Sequence, residues 1–371
     1  MVNLQQIITL MSKLAPQSEA MDWDNVGIQV GDYDNEIQRV LISLDINGKV
    51  IEEAVEKNID LVISHHPLIF NGINNIHSQT AKGNIIIKAI KNDIAIYSAH
   101  TNMDIAESGL NDYLANKLDI VDTEVLSTVN EHKRYKLAVY VPIEDAESLR
   151  EVLFKKGAGK IGNYSNTSFN VNGQGTFKPG DNTNPHIGKK GQMEKVQETK
   201  IETIVKASDL QKVIKTMLKV HPYEEVAYDV YELPVQSNYS GIGRIGYIDN
   251  EMSLKEYSQK IKEVLKIDKL KVRGDINQKI KKVALCSGSG ADFITAASSK
   301  GADLYITGDV KYHEAQLAEE LGINLIDAGH FETENIFKEL VYDYLNNKKV
   351  KCKLDFNIFK SEVSTNPWKY Y

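Results

Sequence analysis

The same order of strands and helices occurs near both ends of this 371-residue chain, and this repetition limits the folds that it can adopt. Near the N-terminus, VLISLDI, KVIEEAVEKNI and DLVISHHPLIF have the patterns of a strand, a helix and a second strand. Near the C-terminus, KKVALCSGSG, ADFITAASSKG and ADLYITGDVKYH repeat that order. Alternation of this kind predicts an α/β fold built from βαβ units with mostly parallel sheets.

Overlaying the two ends brings chemically related residues into register. AVEKNIDLVISHH aligns with ASSKGADLYITGD, and IAIYSAHTNMD aligns with NLIDAGHFETE. The matched pairs are His66 with Asp309, His100 with His330, and Asp104 with Glu334. Both ends therefore carry a strand followed by the pattern H-x-x-x-[DE], which favours two related half-lobes facing each other across a cleft. A general likeness among α/β sequences is the alternative explanation.

The middle of the chain has a different character. Residues 126–244 contain the order strand-helix-strand twice, which predicts an inserted ferredoxin-like α+β domain. Residues 1–125 and 245–371 are then the N-terminal and C-terminal half-lobes of one discontinuous metal-binding domain. Ligands of open α/β sheets bind at the loops that follow the strands, so the cleft between the half-lobes is the expected binding site.

Composition restricts the function classes. The chain is 42% hydrophobic and 26% charged, and it lacks the long uncharged apolar run of a membrane span. Its net charge of −7 argues against nucleic-acid and membrane partners, because both surfaces attract basic proteins. Cys286 and Cys352 are the only cysteines, so neither a disulfide framework nor a cysteine-rich zinc site is expected. These features predict a cytoplasmic protein.

Two adjacent histidines and two spaced carboxylates are the strongest chemical signal. His65 and His66 follow the apolar run DLVIS and precede a proline, which ends the strand and lets both imidazoles turn into the cleft. Asp104 and Glu334 each lie four residues after a histidine, a spacing that shares one helix face. Carboxylates are also common in first helical turns for dipole reasons, which is the alternative.

These side chains predict a metal site. The predicted ligands are His65, His66, Asp104, His330 and Glu334. Imidazole and carboxylate ligands without thiolate suit zinc, iron(II) or manganese. A carboxylate that bridges two ions holds them about 3.5–4 Å apart, the spacing used to activate water.

Other polar motifs are ambiguous. Asp309 and His313 are four residues apart and are expected to line the site, although simple packing is an equal alternative. Gly288 and Gly290 form only a G-x-G, weak support for a dinucleotide, although amides there would suit a phosphate. Asp24, in the turn DWDNVG with Asn25, faces either the cleft or solvent.

The blocks DNVGIQVGD, SHHPLIF, AHTNMD, GDVKYHEA and GHFETE resemble the signature blocks of the NIF-three-like family, whose members are labelled GTP cyclohydrolase type 2 homologues. HPYEEVAYDVYEL and the rest of the middle segment resemble the PII- and CutA-like domain of the longer members. The resemblance implies ring-shaped homohexamers. It also implies two divalent ions per subunit, with zinc expected first and iron or manganese still open. One ion would be held by His66, Asp104 and Glu334, and the other by His65, His330 and Glu334.

The combined expectation is a metal-dependent hydrolase that acts on cyclic C–N bonds of a small-molecule substrate, with a nucleotide such as GTP as a candidate. His100 is the predicted catalytic residue that moves protons, with His313 as the alternative. Five protein ligands for two ions leave open positions, as catalytic sites do. The competing hypothesis is a non-catalytic regulatory or adaptor protein that responds to a metal or nucleotide, with the inserted domain as the sensor or as a surface for a partner.

Overall fold

The computed structural model describes residues 2–234 and 238–369. The chain forms two compact units, one made of Met1–Asn130 with Ser240–Tyr371 and the other of Glu131–Tyr239. Within the described residues, every helix is too short or too polar to cross a lipid bilayer.

The elements alternate along the chain as follows. The strands are Gly27–Val30 (β1), Arg39–Ser43 (β2), Leu61–Ser64 (β3), Ala95–Ser98 (β4), Ile120–His132 (β5), Arg134–Pro142 (β6), Ser168–Phe177 (β7), Glu194–Lys206 (β8), Tyr228–Glu232 (β9), Asn238–Ser253 (β10), Lys271–Arg273 (β11), Lys279–Ser289 (β12), Leu304–Gly308 (β13), Asn324–Asp327 (β14) and Asn357–Lys360 (β15). The α-helices are Leu4–Leu14 (α1), Gly48–Glu56 (α2), Ala81–Lys91 (α3), Thr101–Ile105 (α4), Leu110–Lys117 (α5), Ala146–Lys155 (α6), Ala207–Val220 (α7), Leu254–Leu265 (α8), Ile294–Ser299 (α9), Tyr312–Glu320 (α10), His330–Glu334 (α11) and Phe337–Cys352 (α12).

Two mixed sheets form the first unit. The first sheet has the order β1-β4-β3-β2-β15, in which β1 is antiparallel to β4 and the other neighbours are parallel. The second has the order β11-β14-β13-β12-β10-β5, in which β12, β13 and β14 are parallel and β11 is antiparallel to β14. All residues of β3, β4 and β13 are buried, as expected for parallel strands covered on both faces.

Four strands in each sheet therefore follow the same order and the same directions, β1-β4-β3-β2 in one and β11-β14-β13-β12 in the other. The mixed α/β class predicted from the sequence is confirmed, with several sheets. The finer description, two related half-lobes with a domain inserted between them, stays a prediction.

One apolar core is shared by the two ends of the chain. Buried side chains of β3, such as Ile63, belong to the same cluster as Ile306 of β13 and Phe337 of α12. A buried ion pair also joins the ends, because the Arg244 guanidinium on β10 contacts the Asp112 carboxylate on α5. Removing only one partner of such a pair typically costs about 3–5 kcal/mol, because the other charge is left buried without a partner, so this contact favours the arrangement in which the two ends are together.

The second unit contains one antiparallel sheet in the order β7-β8-β6-β9. Helices α6 and α7 bury apolar side chains against β6 and β8, including Leu149, Leu153, Val213 and Met217. The chain order β6-α6-β7-β8-α7-β9 is that of a ferredoxin-like motif. The predicted boundaries, 126 and 244, fall inside β5 and β10.

Replacing Glu131–Tyr239 by a short Gly/Ser linker should leave a folded first unit that still binds metal. The attachment points are close together, because Asn130 Nδ2 and Ser240 Oγ both donate to Glu19. All five predicted ligands also lie outside the deleted segment. Circular dichroism, cooperative urea unfolding and metal analysis of the shortened protein would test this expectation. An unfolded or metal-free product would show that the second unit belongs to the core that holds the site.

Candidate metal centre

The predicted ligands meet where parallel strands of the two sheets end. His65 and His66 come directly after β3, and their backbone N–H groups both donate to Leu44 O instead of continuing a strand ladder. Asp104 lies in α4, the short helix after β4. His330 and Glu334 begin and end α11, the short helix after β14. The two sheets thus contribute to one cluster, as the sequence patterns predict.

Glu334 lies at the centre of this cluster, with a nearly inaccessible side chain. Its Oε2 is 3.0 Å from Nε2 of His66 and 2.9 Å from Nε2 of His330. Its Oε1 is 3.6 Å from Nε2 of His65, and that nitrogen is also 3.7 Å from Oδ1 of Asp104. One carboxylate therefore faces three imidazoles, and a second carboxylate faces one of them.

Each imidazole is oriented by an oxygen at its other nitrogen. The Nδ1 contacts are His65 to Ala99 O at 2.8 Å, His66 to Asp45 Oδ1 at 2.7 Å, His100 to Asp24 Oδ1 at 2.9 Å, and His330 to Asp309 Oδ2 at 2.7 Å. When Nδ1 donates its proton to such an oxygen, the Nε2 lone pair is available. Metal-binding histidines are commonly held in this way.

Three buried polar atoms of the cluster have no hydrogen-bond partner among the residues that the structure describes: Nε2 of His65, Nε2 of His330 and Oε2 of Glu334. The last two lie 2.9 Å apart without the alignment of a hydrogen bond. Buried polar atoms are nearly always paired, so unpaired atoms that converge on one point favour a shared cation. His66, His330 and Glu334 form one group with metal-ligand spacing. His65, His66 and His100 form another. The residues present fit divalent metal ions with nitrogen and oxygen ligands.

Burial and charge pairing decide the protonation of the cluster. Burial alone would raise the pKa of Glu334, but the surrounding imidazoles hold it well below its usual range. Burial raises the pKa of Asp104, and the attraction of His65 does not outweigh it. For His66, burial opposes protonation, yet the hydrogen bond to Asp45 and the adjacent carboxylate of Glu334 raise the pKa to about 10. Metal ions that bind here must displace protons, so their affinity increases with pH.

The structure groups the histidines differently from the ligand sets that the resemblance implies. Those sets combine His66 with Asp104, and His65 with His330. In the structure, Nε2 of His65 faces Asp104, whereas Nε2 of His66 shares an oxygen of Glu334 with Nε2 of His330. Glu334 has the bridging position in both arrangements.

The polar residues whose roles the sequence leaves open lie in different environments. Asp24 accepts hydrogen bonds from His100 and from the backbone and hydroxyl of Thr101. Asp309 orients His330, whereas His313 is exposed on α10 and its Nδ1 contacts Gln316 Oε1. Asn25 donates to Ile69 O and so ties its turn to the loop after the histidines.

Sequence reasoning missed two polar residues beside His66. Asp45 closely follows β2, the strand next to β3, so its signal was a carboxylate at a neighbouring strand end. Thr365, from the C-terminal segment, donates its hydroxyl proton to the other oxygen of Asp45. Nothing in the local sequence marks that threonine, because its contact depends on the tertiary fold.

The G-x-G turn supports Glu334 rather than a phosphate. Gly288 has a φ of +64°, and a Cβ at this residue would lie 2.0 Å from Oε1 of Glu334. Its N–H donates to Thr333 Oγ1, and the N–H of Gly290 donates to Thr307 Oγ1. These amides are therefore already engaged, and the glycine at 288 gives the carboxylate its space.

Gly288→Ala should reduce metal binding without removing any ligand, because the added methyl group displaces the Glu334 carboxylate. Gly301→Ala is a matched control: its φ is +73°, but no atom lies within 4 Å of the new Cβ. Calorimetric titration with Zn²⁺ should show at least a tenfold weaker affinity for Gly288→Ala and near-native affinity for the control. Equal affinities in both variants would contradict the role given to this glycine.

Comparison with known proteins agrees with the signature blocks. The family described as Duf34/NIF3 (NGG1p interacting factor 3) matches residues 2–367. A Bacillus subtilis (strain 168) protein named GTP cyclohydrolase 1 type 2 homolog is 43% identical over 369 residues, covering 100% of this chain and 99% of that protein. A crystal structure of a Bacillus cereus protein related to NIF3 has a TM-score of 0.90 at 42% identity, covering 100% of this chain and 99% of its own. A Staphylococcus aureus structure has a TM-score of 0.82 at 31% identity, with the same coverage. The resemblance is confirmed, and the chain belongs to the Duf34/NIF3 family.

Proposed function

We propose that this protein is a dinuclear metal-dependent hydrolase that opens a cyclic C–N bond in a planar nitrogen heterocycle. The observation that carries the proposal is the convergence of unpaired buried atoms from His65, His330 and Glu334 at one point. His66 and Asp104 complete the proposed ligand set. Two divalent ions, with zinc expected first, would polarise the substrate and lower the pKa of a water molecule.

The cluster is open on one side, which favours catalysis over a structural role. The side chains of His66 and His330 are 26% and 33% exposed, whereas His65 is fully buried. Structural metal sites are closed by protein ligands, and catalytic sites keep an accessible position. A substrate would reach the centre from the side of His66 and His330.

His100 is the proposed proton carrier. Its ring lies beside both adjacent histidines, with centroids 5.2 Å from His65 and 5.4 Å from His66. Burial alone would raise the pKa of Asp24, but hydrogen bonds from His100 and Thr101 lower it to about 2. A carboxylate that stays ionised holds the proton on Nδ1 of His100, which leaves Nε2 free to accept one from water.

An exposed aromatic pair beside His100 supports a planar substrate. The Trp23 and Phe70 side chains are 59% and 45% exposed, and their rings lie 6.1 and 6.4 Å from the His100 ring. Exposed rings next to polar groups suit stacking of a flat heterocycle. Relatives are named for GTP cyclohydrolase, so GTP is the first compound to test on this chain.

The matching strand order of the two sheets supports the half-lobe hypothesis. His100 and His330 occupy equivalent positions after β4 and β14, and Asp104 and Glu334 follow them in equivalent short helices. A duplicated half-lobe would thus contribute one histidine–carboxylate pair from each side. We further propose a homohexamer with the second unit as an inserted domain, as the family resemblance implies, and a cytoplasmic location, as the composition predicts. The adaptor alternative stays a prediction, favoured by a cavity in the second unit that is described below.

Purified protein reconstituted with excess metal should contain two ions per chain. The Glu334→Ala variant should bind less metal at both proposed sites, because Glu334 would contribute to each of them. The His66→Ala variant should keep more of the metal at one of the two sites. Elemental analysis and calorimetry would measure the stoichiometry. Glu320→Ala, which removes an exposed carboxylate of α10, is the control and should bind like the parent protein. Absence of metal uptake, or equal negligible losses in the two ligand variants, would refute the assignment.

Metal-replete protein should hydrolyse a heterocycle in a screen of cyclic nitrogen compounds that includes GTP. His100→Ala should keep both metals while the turnover of any substrate found falls about 100-fold or more. The Glu334→Ala variant should be inactive. The His77→Ala variant, which changes an exposed histidine, should have the same turnover as the parent protein. If His100→Ala loses its metals, His100 is a ligand and the proton-carrier role fails. If nothing is hydrolysed and metal removal changes only assembly, the adaptor hypothesis replaces the enzyme.

A further inference from the structure

A second concave site lies wholly within the Glu131–Tyr239 unit. This cavity of 460 Å³ is bounded by the end of β7, the loop that follows it, part of β8 and residues 223–227. Small-molecule sites typically measure about 300–1,000 Å³, so the cavity has the size of a ligand site. None of its lining residues belongs to the candidate metal centre.

The wall of the cavity holds a carboxylate in a defined position. Oη of Tyr223 donates to Oε1 of Glu198 at 2.8 Å. Oε2 of Glu198 lies 2.0 Å from the place that a Cβ of Gly175 would occupy, so any larger residue there would displace it. Burial and the neighbouring carboxylate raise the pKa of Tyr223, which keeps its phenol protonated as the donor. Tyr223 therefore orients this carboxylate, and Gly175 leaves the space that the carboxylate occupies.

Several aromatic rings line the same cavity, next to Tyr223. The Tyr223 ring is 6.1 Å from Phe177 and 6.2 Å from His186, and Tyr140 adds a further ring to the lining. Aromatic faces attract organic cations through their quadrupoles, with about 0.5–2 kcal/mol for each well-placed contact. Apolar rings around an anionic group are a suitable environment for a cation with a hydrophobic body.

The charges of the residues that line the cavity also favour a cationic ligand. Glu198, Glu224 and Glu225 carry three negative charges, and Lys178 carries one positive charge. Oε1 of Glu224 also accepts from the backbone N–H of Asn184 at 2.8 Å, which ties the loop after β7 to the cavity. The net negative lining disfavours a nucleotide or another phosphate.

We propose that this cavity binds an organic cation, namely an amine or quaternary ammonium attached to a small aromatic or apolar body. The ammonium group lies against Glu198, and the body of the ligand lies between Phe177, His186 and Tyr223. This site requires no metal, so the proposal stands or falls independently of the hydrolase activity.

Phenethylammonium, 2-phenylethanol and ATP are the probes that test the proposal on the full-length chain. Phenethylammonium is a cation, 2-phenylethanol is a neutral molecule of nearly the same shape, and ATP is an anion. Calorimetry should show one phenethylammonium site per chain and at least about tenfold weaker binding of 2-phenylethanol, equivalent to 1.4 kcal/mol. Equal binding of the alcohol and the ammonium, preferential binding of ATP, or no saturable binding of phenethylammonium at millimolar concentration would overturn the proposal.

Glu198→Gln removes the charge but can still accept the hydrogen bond of Tyr223, and it should weaken phenethylammonium binding about tenfold. Glu225→Gln, an exposed change at the rim, should weaken it less. Glu151→Gln, on the exposed face of α6 in the same unit, is the control and should bind normally. Thermal unfolding checks that each variant is folded. Unchanged binding by folded Glu198→Gln, or equal losses in the control, would place the ligand elsewhere and refute the site.

Discussion

The structure depends above all on placing the charge of Glu334 in the interior of the first unit. An ionised carboxylate removed from water is costly unless cationic or hydrogen-bonding groups surround it. Here the partners come from distant parts of the chain: His65 and His66 after β3, and His330 one helical turn before the carboxylate itself. The buried charge of Glu334 is therefore stabilised only in conformations in which both ends of the chain have come together.

Other contacts hold those ends in position. The Arg244 guanidinium bonds to Asp112 and also donates to the carbonyl of Ala106, the residue that follows α4. Tyr344 of α12 donates to Leu10 O in α1. These bonds connect the C-terminal half of the sequence to its first third, beside a shared apolar core. The ligand geometry is thus maintained by the packing of whole elements, since α4 and α11 are too short to be stable alone.

Much of this arrangement could be predicted from the sequence, and the remainder depends on tertiary contacts. His65 and His66 were identifiable because Pro67 ends an apolar strand, and the spacing of Asp104 and Glu334 indicated short helices after strands. The α/β class followed from periodicity. Asp45 acquires its role by lying one strand away from His66, and Thr365 acquires its role only because the tail returns to that edge. The i,i+4 spacing of Asp309 and His313 did not indicate a shared role: Asp309 orients His330 at the site, whereas His313 lies on α10 and contacts Gln316.

The distribution of the ligands also has a consequence for biosynthesis. His65 and His66 leave the ribosome early, whereas Glu334 is synthesised much later, since it lies far beyond them in the chain. Chains elongate at roughly 5–20 residues per second, so on the order of tens of seconds separate the synthesis of His65 and His66 from that of Glu334. The proposed ligand set is therefore complete only after Glu334 has been synthesised. A chain that terminates before Glu334 would lack the central anion, so a metal ion held by the full proposed set would mark a chain that extends at least to that residue.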